Sequence, residues 1–459
     1  MDMAMKLGAL ILAGGKGTRM YSHLPKVLQP ILGEPMLSYV HAALKPLFAD
    51  QIWTVIGHRA DLLRLTFPQL EDNFILQEEQ LGTGHALQIA WATLREACLT
   101  HVLVFSGDVP LISKDTITTF LNAIERSKSP LGFITLTLRD PGNYGRVLRS
   151  GHTVSNIIEA KDYDATIYGP EPNEINAGIY CLELDRIEPL LPLLRNENKS
   201  GEFYITDLIS LASRSDIDVV GVQCGDDSTL LGVNTPQELI HMESILREDI
   251  VRGWLEAGVF IHAPESVRIG PDVVIAPGAR ITGPCEILGA SNIAAHAEIE
   301  PFCHLNHVSL GEGARVRSFS HLENATLEAG AAAGPYARLR PGARLEEDSR
   351  VGNFVEVKNA TLARGAKAGH LSYLGDAHIG EGANIGAGTI TCNYDGHKKH
   401  RTTIAARAFI GSNTALVAPV SIGEGSVVGA GSTITKDVPE NTLALTRPEQ
   451  INKPRRKKT

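Results

Sequence analysis

Hydrophobic positions divide the chain into two parts with different periods. Up to about residue 235, short β-rich runs alternate with stretches of helical periodicity, and the runs read LGALIL, QIWTVIG, NFILQ, HVLVFSGD, LGFITLTL and DVVGVQC. Such alternation is typical of an α/β sheet domain. The first run, Leu7–Leu12, is predicted to be a buried strand.

A single helix is predicted to follow this domain. Residues 235–258 begin with Thr235-Pro236, carry acidic residues early and apolar residues at helical spacing, and end at Gly258. We therefore expect a first domain at 1–234 and a linker helix at 235–258.

From Ile269 onward an aliphatic residue recurs at every sixth position, with two slips of register. The series is Ile269, Ile275, Ile281, Ile287, Ile293, Ile299 and Leu305, then Ala333, Leu339, Leu345, Val351 and Val357, then Ile404, Ile410, Leu416, Ile422, Val428 and Ile434. A period of six fits neither an amphipathic helix nor an ordinary sheet, but it is typical of a parallel β-helix. The pattern predicts a rod over 259–440 with these residues inside.

Two segments interrupt or follow the rod. Residues 391–402, TCNYDGHKKHRT, contain no aliphatic residue and are expected to loop out. A C-terminal tail is expected at 441–459. Its final segment INKPRRKKT, at 451–459, is basic and predicts a solvated end rather than a binding segment.

Composition narrows the classes of function. At 459 residues with 43% hydrophobic residues, the chain can bury more than one core. The net charge of −9 disfavours nucleic acid or an anionic membrane as a partner, and no apolar run approaches the roughly 20 residues that span a bilayer. The scattered cysteines, without metal-type spacing, predict free thiols in a reducing compartment and hence a cytoplasmic protein; they are Cys98, Cys181, Cys224, Cys285, Cys303 and Cys392.

A glycine-rich turn directly follows the first predicted strand. The segment LAGGKGTRM at 12–20 is followed by LPK at 24–26. Glycines after a strand leave backbone N–H groups free to surround a phosphate, and Lys16, Arg19 and Lys26 add positive charge. A third glycine for the dinucleotide fingerprint is missing, as is the GK[ST] of a P-loop. The turn therefore predicts a nucleotide-phosphate site of another type.

The string GxGTRM followed by LPK resembles the signature of sugar-1-phosphate nucleotidyltransferases. Gln77, EQLGTGHA at 79–86 and GDVP at 107–110 follow in that family's order. The resemblance implies a Rossmann-like domain with a mixed sheet, UTP as substrate, and Mg²⁺ held by Asp108 and Asn234. It also implies nucleotide or sugar contacts from Leu12, Ala13, Gly14, Gly15, Arg19, Lys26, Gln77, Gly82, Thr83, Gly145, Glu159, Asn176 and Asn234. Gly14 departs from the family's usual alanine, and a minor effect is expected.

Further motifs interrupt the hexads. They are RLRPG at 338–342, GNFVEVK at 352–358, KAGHLSYLGD at 367–376 and NIGAGTITCNYDG at 384–396. Together they resemble the acetyltransferase domain of bifunctional N-acetylglucosamine-1-phosphate uridyltransferase / glucosamine-1-phosphate acetyltransferases. With the N-terminal motifs, the resemblance covers nearly the whole chain. It implies a left-handed parallel β-helix of hexapeptide repeats and an enzyme that supplies UDP-N-acetylglucosamine for peptidoglycan and lipopolysaccharide.

Acetyl transfer from a thioester to an amino sugar requires a base, and histidine titrates near neutral pH. His370, within KAGHLSYLGD, is the candidate. The resemblance assigns the sugar phosphate to Arg340 and Lys358 and the sugar to Tyr373 and Asn384. It assigns the acetyl-CoA site to Ala387, Asn393, Tyr394, Ser412, Ala430 and Arg447.

Two other interpretations stay open at this stage. In the first, the rod serves only regulation in a sugar pyrophosphorylase, and in the second it serves only trimerisation around an unknown partner. The first kind of protein has shorter rods without KAGHLSYLGD and TITCNYDG, and the second leaves Arg340, Lys358 and His370 unexplained. Flat-sided rods pack side by side, so we expect a homotrimer. The resemblance implies glucosamine-1-phosphate, N-acetylglucosamine-1-phosphate, UTP and acetyl-CoA as substrates.

Overall fold

The computed structural model describes residues 5–224 and 228–454. The last five residues of the expected tail, the first four of the chain and residues 225–227 lie outside the described residues. The chain divides into two compact units, one extending to Ser244 and the other beginning at Ile245.

The first unit is built on a mixed sheet in the order β11-β7-β10-β6-β1-β4-β5, with β8 and β9 attached beside β10. β1 lies parallel to both β4 and β6, whereas β10 lies antiparallel between β6 and β7. The strands are β1 Leu7–Leu12, β2 Pro30–Ile31, β3 Glu34–Pro35, β4 Ile52–Ile56, β5 Phe74–Leu76, β6 His101–Ser106, β7 Leu131–Thr137, β8 Arg146–Ser150, β9 Thr153–Ile158, β10 Glu174–Glu183 and β11 Val219–Gln223.

All the strand runs read from the sequence are strands of this sheet, so those predictions are confirmed. The hydrophobic pattern did not predict the strands β8, β9 and β10. In β10, pairing with β7 shifts between Asn176 and Tyr180, where Gly178 has a positive φ of 76°. This irregularity breaks the regular alternation on which strand prediction depends.

Helices cover both faces of the sheet. Leu10 of β1 packs into one hydrophobic cluster with Phe133, while Ile11 packs into another with Phe105 and Phe120. Successive strand side chains point to opposite faces, so both faces are buried. The helices of this unit are α1 Met36–Phe48, α2 Ala60–Thr66, α3 Thr83–Glu96, α4 Lys114–Ser127, α5 Ala165–Tyr168, α6 Leu184–Ile187 and α7 Asp207–Arg214. A further helix, α8 Pro236–Glu256, begins in the first unit and ends in the second.

Helix α8 begins with a capping box. The backbone N–H of Glu238 donates to Thr235 Oγ1 at 3.2 Å, and Glu238 Oε2 accepts from the backbone N–H of Thr235 at 2.9 Å. The same carboxylate oxygen accepts from the backbone N–H of Asn234 at 2.6 Å. These bonds satisfy N–H groups that the first turn of a helix leaves open, and they fix the backbone of Asn234.

In the described part of the second unit, short parallel strands form three sheets that run along a β-helix. The first sheet contains β12 Phe260–His262, β15 Arg280–Thr282, β18 Glu298–Ile299, β21 Arg315–Val316, β24 Ala332–Ala333, β27 Arg350–Asn353, β30 Lys367–His370, β33 Asn384–Ile385, β36 Phe409–Ile410, β39 Val427–Val428 and β41 Leu443–Ala444.

The second sheet contains β13 Val267–Ile269, β16 Cys285–Leu288, β19 His304–Asn306, β22 His321–Glu323, β25 Arg338–Leu339, β28 Glu356–Lys358, β31 Tyr373–Gly375, β34 Ile390–Cys392, β37 Ala415–Val417 and β40 Thr433–Ile434. The third contains β14 Val274–Ile275, β17 Asn292–Ile293, β20 Ser309–Leu310, β23 Thr326–Leu327, β26 Arg344–Leu345, β29 Thr361–Leu362, β32 Ala377–Ile379, β35 Thr402–Ile404 and β38 Val420–Ile422.

The hexad residues are buried and stack between coils in register. Ile281 is the partner of Ile299, and Ile299 is the partner of Val316. The second step is one residue shorter than the first, which accounts for the slip read from the sequence. Ile385 is the partner of Ile410, and this longer step contains the segment expected to loop out. The expected fold class of both units is confirmed.

Candidate functional site

The first unit has a cleft of about 620 Å³ at the carboxyl ends of β1 and β6. Parallel strands present ligand-binding loops at this edge of an α/β sheet. Ten residues of the first predicted site line the cleft, namely Leu12, Ala13, Gly14, Gly15, Arg19, Lys26, Gln77, Gly82, Thr83 and Asp108.

The turn after β1 depends on glycine at one position in particular. Gly17 has φ +58°, and a Cβ there would lie 2.7 Å from Cβ of Lys26. A side chain at Gly17 would therefore strain the backbone and displace the lysine. Gly15, by contrast, faces open space, which leaves room in the cleft for a ligand.

The side chains of Lys26, Asp108 and Asn234 converge at the end of β6. Lys26 Nζ donates to Asp108 Oδ2 and, at 3.2 Å, to Asn234 Oδ1. Arg19 Nη2 donates to the same Asn234 oxygen at 2.8 Å. A carboxylate and an amide oxygen thus share one cationic partner. Two such oxygens are suitable ligands for Mg²⁺, which takes its other ligands from water and phosphate.

The amide of Gln77 is held on its nitrogen side. Gln77 follows β5 and is 4% exposed. Its Nε2 donates to the carbonyl oxygen of Gly82 at 3.1 Å and lies 3.2 Å from Nδ1 of His85. The His85 ring in turn packs on Phe203, with ring centroids 6.3 Å apart. The Gln77 side chain therefore has a fixed orientation at the wall of the cleft.

Gly145, Glu159 and Asn176 form a second group in this unit. The backbone N–H of Asn176 donates to the Gly145 carbonyl at 2.9 Å, and its side-chain amide donates to the Tyr180 hydroxyl at 2.6 Å. A Cβ on Gly145 would lie 3.5 Å from Glu159 Oε1. These three predicted residues lie together, outside the wall that Gln77 and Asp108 line.

The Glu159 carboxylate is connected to the nucleotide cleft through the segment 202–206. Glu159 Oε1 accepts from the hydroxyl of Thr206 at 3.0 Å. Burial raises the pKa of Glu159, while the Thr206 bond lowers it in part. The same segment pairs with the start of α3, where the Gly84 N–H donates to the Phe203 carbonyl at 2.7 Å and Ile205 N–H donates to Thr83 Oγ1 at 3.1 Å.

In the second unit, Arg340 and Lys358 lie at matching positions on adjacent coils. The backbone N–H of Arg340 donates to Val357 O at 2.9 Å, and Arg340 Nη1 donates to Glu356 Oε1 at 2.8 Å. The pKa of Lys358 is lowered because its ammonium lies against that of Lys399, and Arg340 adds to the effect. Three cations close together create a positive site that suits a phosphate dianion.

His370 is exposed at the end of β30 and bonds to Asn353 at the end of β27. The two residues are register partners, and His370 Nδ1 lies 2.6 Å from Asn353 Oδ1. Since Asn353 Oδ1 can only accept, His370 Nδ1 carries the proton. The lone pair of the neutral imidazole is then on Nε2, as a general base requires.

Tyr373 packs over Gly375 beside Asn393. The Asn393 amide donates to Asp376 Oδ2 at 2.5 Å and lies 3.5 Å from the Tyr373 hydroxyl. A Cβ on Gly375 would lie 2.6 Å from Tyr373 Cζ. The glycine thus allows the tyrosine to lie close to the backbone.

Ala387, Ser412 and Ala430 recur at one corner of successive coils. The Asn413 N–H donates to the Ala387 carbonyl and the Gly431 N–H to the Ser412 carbonyl, both at 2.7 Å. Arg447 reaches the same corner, since a Cβ on Gly429 would lie 3.8 Å from its Nη2. Asn384 is the register partner of Lys367, and Tyr394 is exposed with its hydroxyl bonded to Gly396 O at 2.7 Å.

Comparison with known proteins covers both units. Residues 9–150 match the model of the MobA-like NTP transferase domain, and residues 401–436 match that of the bacterial transferase hexapeptide (six repeats). A protein of Nitratidesulfovibrio vulgaris strain Miyazaki F, named Bifunctional protein GlmU, is 59% identical over 99% of this chain and 100% of its own. Its counterpart in Lawsonia intracellularis is 47% identical over 99% of each chain. The chain belongs to the GlmU family.

A solved structure of the inositol-1-phosphate CTP transferase from T. maritima also matches, at 15% identity and a TM-score of 0.39, over 53% of this chain and 98% of that one.

Membership of the GlmU family identifies a bifunctional enzyme of UDP-N-acetylglucosamine synthesis. Its activities are those of a UDP-N-acetylglucosamine diphosphorylase and a glucosamine-1-phosphate N-acetyltransferase. A β-helix that serves only regulation or trimerisation is thereby set aside.

Several residues that contact the predicted site residues were not singled out from the sequence. Asn353 lies in the motif GNFVEVK, but the sequence assigned it no role. Lys399 lies in the cationic segment 391–402, and the sequence did not predict which residues it would contact. Glu202 and Thr206 follow no strand pattern, and only the folded chain brings them to the first site. Throughout the described residues, no helix has the length and apolar character needed to cross a membrane.

Proposed function

We propose that the cleft of the first unit carries out uridylyl transfer with the predicted residues in their predicted roles, and that the second unit acetylates glucosamine-1-phosphate with His370 as base. The observation that carries the first half is the convergence of Asp108, Lys26 and Asn234 at the end of β6. The bond between His370 and Asn353 supports the second half.

In the first site, UTP is held with its phosphates against the turn at 12–17. Backbone N–H groups of the turn and the side chains of Arg19 and Lys26 bind and orient the phosphates. Asp108 and Asn234 hold Mg²⁺, which neutralises phosphate charge when bound. A phosphate oxygen of N-acetylglucosamine-1-phosphate attacks the α-phosphorus, and pyrophosphate leaves. The protein contributes position and charge, since no nucleophilic side chain is needed.

The sugar half of this substrate is assigned to Gly145, Glu159 and Asn176. Glu159 is an acceptor for sugar hydroxyl groups in its ionised form. The Thr206 hydroxyl donates to Glu159 Oε1 and favours that form against the effect of burial. Gln77, Gly82 and Thr83, which line the cleft, bind the nucleotide.

In the second site, Arg340 and Lys358 bind the sugar phosphate, and Lys399 adds a third cation. Tyr373 and Asn384 orient the sugar. His370 Nε2 removes a proton from the sugar ammonium, and the free amine attacks the thioester carbonyl of acetyl-CoA. The C–S bond breaks as the amide C–N bond forms. The nitrogen loses its second proton, and the thiolate of coenzyme A takes up a proton.

Ala387, Ser412, Ala430 and Arg447 are assigned to acetyl-CoA, because they form one column along the corner next to His370. Asn393 and Tyr394 are assigned to the reacting end of this ligand. The flat sheets of the rod favour packing as a homotrimer, which light scattering would test. Free cysteines throughout the described residues support a cytoplasmic enzyme.

The two halves are tested separately with two variants of the full chain. His370→Ala is expected to lower acetylation of glucosamine-1-phosphate by about 10²–10⁴-fold and to leave pyrophosphate release from UTP unchanged. Asp108→Ala should do the reverse, with magnesium present at saturation. Parallel loss of both activities in a folded variant would rule out separate sites.

A further inference from the structure

The orientation of the Gln77 amide depends on two acceptors that lie on its nitrogen side. The Gly82 carbonyl accepts one proton of Nε2, and His85 Nδ1 lies at hydrogen-bond distance from the same nitrogen. A side-chain amide has two N–H donors. Both are therefore engaged within the protein.

The carbonyl side of the same amide faces the glycine turn. A Cβ built on Gly14 would lie 2.8 Å from Gln77 Oε1. Within residues 5–224 and 228–454, no protein donor is bonded to this oxygen. Gln77 Oε1 is thus a hydrogen-bond acceptor at a fixed position in the cleft, between the turn proposed to bind phosphates and the start of α3.

We infer that His85 is a positioning residue for nucleotide selection, because it holds Gln77 with its carbonyl towards the base. This inference rests on the proposed nucleotide contact of Gln77. Uracil presents an imide N–H, whereas cytosine has an acceptor at that ring nitrogen. A fixed carbonyl favours the donor of uracil, and an amide free to turn by 180° would present an N–H to cytosine instead.

His85 is itself held in place for this role. It lies in the first turn of α3, which begins at Thr83, and its ring packs against Phe203. Phe203 is fixed to the same turn by backbone bonds, from its own N–H to Leu81 O at 2.8 Å and from Gly84 N–H to its carbonyl at 2.7 Å. The acceptor nitrogen therefore has little freedom to leave Gln77.

The test compares kcat/KM for UTP and CTP, with N-acetylglucosamine-1-phosphate as cosubstrate, in full-length variants. His85→Phe retains a ring against Phe203 but has no nitrogen, whereas His85→Asn retains an acceptor near the position of Nδ1. One hydrogen bond contributes about 0.5–1.5 kcal/mol, so the preference for UTP should fall about twofold to twelvefold in His85→Phe. His85→Asn should retain most of the preference.

Two further readouts separate positioning from direct contact or general damage. KM for UTP should rise in His85→Phe, while kcat and KM for N-acetylglucosamine-1-phosphate should stay within about twofold of the native values. A factor of about two is the change expected from the loss of the weakest hydrogen bond in the range above. In a Gln77→Ala background, His85→Phe should have no further effect on the preference. Additive effects would mean that His85 acts on the nucleotide directly and would overturn the inference.

Other outcomes are equally decisive. The positioning role is contradicted if His85→Phe keeps the native preference for UTP over CTP. It is also contradicted if His85→Asn loses as much of this preference as His85→Phe does. Either result leaves the proposed contact of Gln77 with the nucleotide intact. If Gln77→Ala itself keeps the full preference for UTP, the proposed contact of Gln77 fails as well.

Discussion

His370 Nδ1 lies 2.6 Å from Asn353 Oδ1, and the two residues are register partners on adjacent coils of the β-helix. The spacing of coils in a parallel sheet, about 4.8 Å, brings their side chains together without any adjustment of the backbone. The asparagine oxygen thereby determines which imidazole nitrogen is free to accept a proton.

Asn353→Ala should lower kcat for acetyl transfer about tenfold to a hundredfold, a part of the 10²–10⁴-fold that a general base contributes. The imidazole remains, but its tautomer and orientation are no longer fixed. Asn353→Asp keeps an acceptor at the same position and should retain most of the activity. Steady-state acetylation assays check both variants, and equal activity of Asn353→Ala and the native enzyme would contradict the role of this bond.

Gly375→Ala should weaken binding of glucosamine-1-phosphate. The new methyl group would lie 2.6 Å from Tyr373 Cζ and 2.8 Å from Asn393 Nδ2, so both side chains must move. Overpacking of this kind costs about 1–3 kcal/mol, and a loss of 1–2 kcal/mol in binding corresponds to a KM about fivefold to thirtyfold higher. The measurement is KM for the sugar phosphate, with the uridylyl-transfer rate as the control.

Thr206→Val should shift the acidic limb of the uridylyl-transfer pH profile to higher pH. The Thr206 hydroxyl donates to Glu159 and stabilises its carboxylate, so removal of the bond raises further a pKa that burial already raises. Protonated Glu159 then appears at higher pH and binds the sugar less well. The pH dependence of kcat/KM for N-acetylglucosamine-1-phosphate measures this.

Thr206→Ser is the matched control for that experiment, because it keeps the hydroxyl. Its profile should overlay that of the native enzyme. A shift of the same size in both variants would show that packing at this buried position, rather than the hydrogen bond, determines the profile.

Glu238→Ala should raise the magnesium concentration required for uridylyl transfer. Glu238 accepts from the backbone N–H groups of Asn234 and Thr235, so its loss releases the backbone of a proposed metal ligand. Loss of a helix cap also lowers the free energy of unfolding by about 1 kcal/mol. Magnesium titration of the rate, with Glu256→Ala at the other end of α8 as control, tests this.

Sequence alone gave the periods of both units, because period depends on local burial. A hexad pattern places one aliphatic side chain inside each face of a coil. The alternation of strands and helices can likewise be read along the chain, because each element has its own local hydrophobic period. The glycine turn after Leu7–Leu12 was recognisable for the same reason, since it follows directly on a buried strand.

Tertiary structure decided which distant residues meet. Asn234 reaches Arg19 and Lys26 across more than 200 positions of the chain, and Thr206 reaches Glu159 through the pairing of 202–206 with the start of α3. Asn353 lies beside His370 only because one coil has 17 residues rather than 18. Contacts of this kind depend on register and on the packing of separate elements, which a single sequence does not encode in any local pattern.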